Sequence, residues 1–171
     1  AQSLASAKLD VLADPFGSVF DSEDGSAVDG ASVSLVDAIS GAPATVFAPD
    51  GSTAWPSTVT AGSTVTDAAG NTYEMPSGGF RFPLVAPGTY RLVVTPPAPF
   101  TAPSNAPASQ LKGLLRADGL PLDVTEGSYG KPFLINGFES IRIDVPVDRP
   151  PVAMALTKTA SRDRAEPGDV V

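Results

Sequence analysis

Apolar and polar residues alternate along several short stretches of this chain, and a period of two is the signature of a half-buried β-strand. From Ala31 to Leu35, Ala31, Val33 and Leu35 fall on one face, with Ser32 and Ser34 on the other. Between Thr89 and Val94 the inward face carries Tyr90, Leu92 and Val94. The longest alternation runs from Ile141 to Val147, with Ile141, Ile143, Val145 and Val147 inward and Arg142, Asp144 and Pro146 outward. Pro146 has no N–H to donate, so this strand is expected to lie at a sheet edge or to end there. Val152, Met154 and Leu156 repeat the pattern near the C-terminal end, predicting a strand over 152–160.

Turn chemistry separates these stretches. Asp24-Gly25, Asp50-Gly51, Gly70-Asn71, Gly78-Gly79 and Pro87-Gly88 supply residues that tolerate positive φ or pre-set a turn. Short strands at such spacing predict an all-β antiparallel sandwich. Only Ser109 to Arg116 reads as helical, with Leu111, Leu114 and Leu115 on one face, and Gly113 limits it to one or two turns. Residues 96–109 hold five prolines and are expected to be an extended loop crossing within the domain. Arg149-Pro150-Pro151 reads as a semi-rigid hinge at a domain boundary. The expected organisation is a leading linker or first strand over 1–13, a sandwich over 14–150, and a hinge opening a second β domain over 151–171.

Composition narrows the functional classes. The 171 residues include 16 glycines and 18 prolines, a density that breaks helices, while 42% hydrophobic residues suffice for a core. A net charge of -8 repels phosphate backbones and argues against nucleic-acid binding. The sequence has no Cys and no His. Disulfides, thiolate nucleophiles, zinc-thiolate sites and the usual general base near neutral pH are therefore out of reach. No apolar run approaches the ~20 residues of a membrane-spanning helix.

Two stretches carry a family resemblance. Gly17 to Leu35 reads GSVFDSEDGSAVDGASVSL; Thr66 to Tyr73 reads TDAAGNTY and leads to GFRFPLVAPGTYRLVV over 79–94. Together they resemble the prealbumin-like sandwiches of bacterial surface proteins, namely collagen-adhesin B-type repeats, serine–aspartate-repeat B-type domains and carboxypeptidase regulatory-like domains. Relative to that pattern the chain carries an inserted loop or hairpin near residues 42–65. The stretch from Ala155 to Val171 (ALTKTASRDRAEPGDVV) looks like the opening of a functionally undefined repeat domain of large bacterial surface proteins. The resemblance implies an extracellular or cell-surface location and a role in adhesion or in a stalk.

Candidate chemistry is sparse. Asp21, Glu23 and Asp24, with Asp29 nearby, cluster in one turn, and calcium favours such oxygen ligands. The serine–aspartate-repeat resemblance implies calcium at this loop, although the loop here is abbreviated. The collagen-adhesin resemblance implies a Lys–Asn isopeptide bond, for which Lys8, Lys112, Lys131 and Lys158 and Asn71, Asn105 and Asn136 are available. Asp123 with Glu126, or Glu139 with Asp144, are the only carboxylate pairs that suggest a glycosidase. Their spacing does not distinguish them from solvated acids, and the chain reads as a non-enzyme. Trp55, the sole Trp, sits in the Thr-rich insertion, either stacking on a glycan or protein ligand or closing one end of the core. Phe100 and Tyr129 pose the same choice.

These readings converge on a structural spacer of a large surface or secreted protein, with neighbouring domains of the same polypeptide as partners. A ligand-binding adhesin domain, with a host or matrix ligand, is the alternative. Self-association by donation of strand 152–160 to a neighbour is a third.

Overall fold

The computed structural model describes residues 13–151 except Phe138. Over that span the chain is nearly all β. One sheet is built on the two clearest alternating segments. β2 (Ser32–Asp37) pairs along its length with β10 (Gly88–Thr95), flanked outside by β5 (Thr58–Thr60) and β11 (Phe133–Ile135), in the order β11-β10-β2-β5. Val33, Leu35, Tyr90 and Leu92 turn inward as their period demands, and Ser34 on the outer face hydrogen-bonds Thr58 across the strands at 2.7 Å.

The opposing layer is organised by β1 (Pro15–Asp21). On one edge β1 pairs antiparallel with β8 (Gly79–Arg81), and an Ala13–Val85 bridge carries the contact on to β9 (Leu84–Val85). From β9 the layer continues to β3 (Val46–Phe47) and β4 (Ala54–Trp55). On its other edge β1 pairs in parallel with β12 (Ile141–Arg142) and β13 (Val145–Val147). A separate hairpin joins β6 (Thr64–Thr66) to β7 (Thr72–Glu74). Val19, Phe80, Phe82, Val85, Ile143 and Val145 face the first sheet's apolar side to form the main core.

The stretch 42–65 is woven into this frame: it supplies β3, β4, β5 and the start of β6, and β5 hydrogen-bonds β2 directly. The long strand expected over Ile141–Val147 is interrupted. β12 and β13 are separated at Ile143-Asp144, and Asp144, expected outward, is fully buried. Pro146 is buried too, but its missing donor falls on the strand edge away from β1, in keeping with an edge position. The helix is a single turn, α1 (Ala108–Leu111), in which Leu111 is buried while Leu115 stays 52% exposed. Leu111 and Phe20 are buried outside the main cluster. The alternation over 152–160 and residues 1–12 of the leading segment lie outside the described residues, while Ala13 is buried in the core and bridged to Val85.

Candidate functional site

β1 ends in a tight turn. Asp21 accepts a hydrogen bond from the Glu23 amide at 2.8 Å, and the Gly25 amide donates to the Asp21 carbonyl at 2.8 Å. Asp24 accepts from both the amide and the hydroxyl of Ser26 at 2.9 and 2.6 Å, and Gly25 adopts φ of 81°. These local bonds fold the Asp21–Ser26 segment back so that three acids project to one side. They converge on an arginine. Arg149 Nε donates to Asp21 Oδ2, Nη1 to Glu23 Oε1 at 3.2 Å and Nη2 to Asp24 Oδ2 at 2.9 Å. Asp21 is 1% exposed, whereas Glu23 and Asp24 lie at the surface.

The electrostatics follow from this geometry. Hydrogen bonds from Ser26, with Arg149 adding to them, hold the Asp24 carboxyl below the ordinary carboxylate range. The bond to Asp21, then the charges of all three acids, push the Arg149 guanidinium above its ordinary value. All three acids named as calcium candidates, Asp21, Glu23 and Asp24, are bonded by Arg149 in this structure. Among the described residues no group of three or more acidic, His or Cys side chains is arranged to hold a metal ion. Asp29 is not part of the cluster; it accepts from the Gly78 amide at 2.6 Å and from the Ser77 hydroxyl at 3.1 Å.

A second polar hub adjoins the first. Asp148 accepts from the hydroxyls of Ser22 and Ser104, both at 2.6 Å, and from the Asn105 amide at 2.7 Å. Burial works to raise this carboxyl, but the bonds from Asn105, Ser104 and Ser22 outweigh it and bring it below its ordinary value. Paired amide–carbonyl bonds between Thr101 and Asp148 at 2.9 and 3.0 Å add to the tie. The proline-rich crossover is therefore fastened to the end of β13, a role the sequence pattern did not flag.

The remaining candidates are divided between the core and the surface. Trp55 is 4% exposed, packs against Tyr73 with ring centroids 4.9 Å apart, and donates Nε1–H to the Arg81 carbonyl at 3.1 Å. In this position it closes the core, one of the two places the sequence offered it. Phe100 packs against the core, and the Tyr129 hydroxyl donates to the Ala106 carbonyl at 2.8 Å. Asp144 accepts from the Ser18 amide at 2.9 Å and hydroxyl at 3.1 Å, from the Asp123 amide at 2.7 Å, and from Arg142 Nε at 3.0 Å. Glu139, its proposed partner, is exposed, and Glu126 is engaged by Lys131 at 3.7 Å. Lys112 and Lys131 are exposed, Asn71 is bonded to Asp67, and Lys8 and Lys158 lie outside the described residues.

A depression of about 510 Å³ lies alongside β1, with Phe16, Met75 and Leu122 among the residues that line it. Arg81, Arg116 and Arg142 line it, yet each is ion-paired, to Asp14, Asp118 and Asp144 respectively.

No protein-family model matches the chain, and no curated protein sequence does. Among solved structures the chain is similar to BcpA, the major pilin subunit of Bacillus cereus, at 14% identity and a TM-score of 0.40, covering 82% of this chain and 31% of that one. It is likewise similar to the group B streptococcus pilus 2b backbone protein, at 17% identity and a TM-score of 0.40, covering 83% of this chain and 43% of that one. This chain spans less than half the length of either protein. The likeness is one of general β-sandwich architecture. No helix among the described residues is long and apolar enough to cross a membrane.

Proposed function

We propose that this chain is a non-catalytic structural module of a bacterial cell-surface or secreted protein, and that it works as a load-bearing spacer between neighbouring domains. The observation that carries this reading is the parallel pairing of β1 with β13, in the register Val19–Val145, Phe20–Pro146 and Asp21–Val147. Because the two strands run the same way, the chain enters at one pole of the sandwich and leaves at the other. A pull on the two ends then shears all the hydrogen bonds of the pair together instead of opening them one at a time. The placement of the polar side chains supports the same reading, because Asp21, Asp144 and Asp148 are spent on internal ties and Trp55 on packing.

Force spectroscopy tests it. The chain is pulled through its two ends and, in a second geometry, between Ser40→Cys and the C-terminal end, where the β1–β13 pair is not loaded along its length. A clearly higher unfolding force in the end-to-end geometry is expected. Equal or lower force end to end overturns the spacer reading.

A further inference from the structure

We infer that Arg149 is a three-point clasp that fixes the direction in which the chain leaves the module. It sets the angle to whatever follows Pro151. The inference rests on the spacer reading for its purpose, though not for its geometry.

The argument starts from the backbone. Up to Asp148 the chain is held by the Ser22 amide donating to the Val147 carbonyl at 2.9 Å, by the Thr101–Asp148 amide pair, and by the Asp148 carboxylate hub. Beyond Arg149 come Pro150 and Pro151. Each proline locks its own φ near −65° and drives the preceding residue toward extended backbone. From Asp148 to Pro151 the chain therefore has few free torsions, and those at Arg149 are the main ones left. The Arg149 side chain removes that freedom by bonding Asp21, Glu23 and Asp24 at once.

A single exposed ion pair would be too weak for this task. Two features strengthen it. The guanidinium is a rigid planar fork that loses little entropy per bond formed. Asp21 is also buried, so letting Arg149 swing away would leave a desolvated carboxylate without its cation. Glu23 and Asp24 then fix the rotation of the fork, and with it the Arg149 backbone.

Because the chain has no Cys, two spin labels can be placed without background. Ser40→Cys in the body and Pro151→Cys at the end of the exit segment report the exit direction by pulsed electron–electron distance measurement on the full chain. Ser40→Cys with Ser109→Cys reports whether the body is intact. A single narrow distance is expected across the joint, lost to a broad distribution in Arg149→Gln while the body distance stays unchanged. Should Arg149→Gln fail to fold, Glu23→Gln combined with Asp24→Asn keeps the buried pair and must still broaden the joint. A broad distribution in the unmodified joint, or an unchanged width in either variant, overturns the clasp. These outcomes do not depend on the unfolding force, so a spacer without a clasp and a clasp without load-bearing are told apart.

Discussion

Gly17 and Ile143 meet backbone to backbone: a Cβ built on Gly17 would stand 1.8 Å from the Ile143 carbonyl oxygen. This contact is where the break between β12 and β13 presses against β1, and it explains a glycine in the interior of a central strand, where glycine otherwise weakens pairing. Any side chain at 17 must push the two strands apart. Gly17→Ala is expected to cost about 3 kcal/mol or more of stability, since neither side of the clash is a flexible side-chain tip. Gly113→Ala, with nothing within 4 Å of its Cβ, is the control and should be near neutral or mildly stabilising. Urea denaturation of both variants checks the pair.

The same break turns Asp144 inward, where it gathers the Ser18 and Asp123 amides, the Ser18 hydroxyl and Arg142. Removing the carboxylate orphans these donors and leaves Arg142 without its closest acid. Asp144→Ala is expected to cost about 3–5 kcal/mol, and Asp144→Asn less, since the amide oxygen still accepts. Chemical denaturation read by far-UV circular dichroism distinguishes the two; equal losses would show that charge, not hydrogen bonding, carries the site.

Legibility from sequence follows how local each feature is. Val33, Leu35, Tyr90 and Leu92 were readable because alternation alone decides their face. Pro87-Gly88 was readable as a turn, and the structure adds that the Tyr90 hydroxyl donates to the Ala86 carbonyl at 2.8 Å, closing it. Asp144 was misplaced because the pattern from Ile141 to Val147 is unbroken in sequence; the interruption is imposed by contacts more than a hundred residues away. The acidic turn was legible as a cluster, but its partner Arg149 was not, since nothing local links residue 149 to residues 21–24. Trp55 was open to two readings because its neighbour Tyr73 and the Arg81 carbonyl arrive from other strands.

Acid sensitivity follows from the carboxyls held low in the fold. Asp67 accepts from the Ala69 and Asn71 amides, the Asn71 side chain and the Tyr73 hydroxyl; burial opposes its ionisation, but these bonds outweigh it and lower the carboxyl. Asp148 is lowered in the same manner. A group whose folded value lies below its unfolded value contributes stability above the unfolded value and loses it as pH falls through the folded one. Asp14 runs the other way: burial, only partly offset by Arg81, raises it, so its ionisation in that window weighs against the fold. Melting temperature is therefore expected to fall as pH drops below about 4. Asp67→Asn should lower it at neutral pH and flatten the acid decline. A decline as steep as in the unmodified chain would show that Asp67 does not contribute.

Trp55 offers a built-in probe. As the sole Trp, buried with its N–H bonded to Arg81, it should emit at short wavelength and shift to the red in a single step on unfolding. Trp55→Ala is expected to cost about 3–5 kcal/mol through the cavity left beside Tyr73. Trp55→Phe should recover most of that. Red-shifted emission from the folded chain, or a Trp55→Ala variant of unchanged stability, would contradict the core role.

Calcium provides the last check on the acidic turn. A calcium ion at Asp21, Glu23 and Asp24 would have to displace the guanidinium that already bonds all three. It would also have to find further oxygens to reach its usual six to eight ligands. Millimolar calcium, compared with chelator, is accordingly expected to leave the melting temperature of the unmodified chain unchanged. A ligand that binds only the folded state must raise it. A rise would therefore mean that the ion outcompetes Arg149, and the clasp would then be open whenever calcium is abundant.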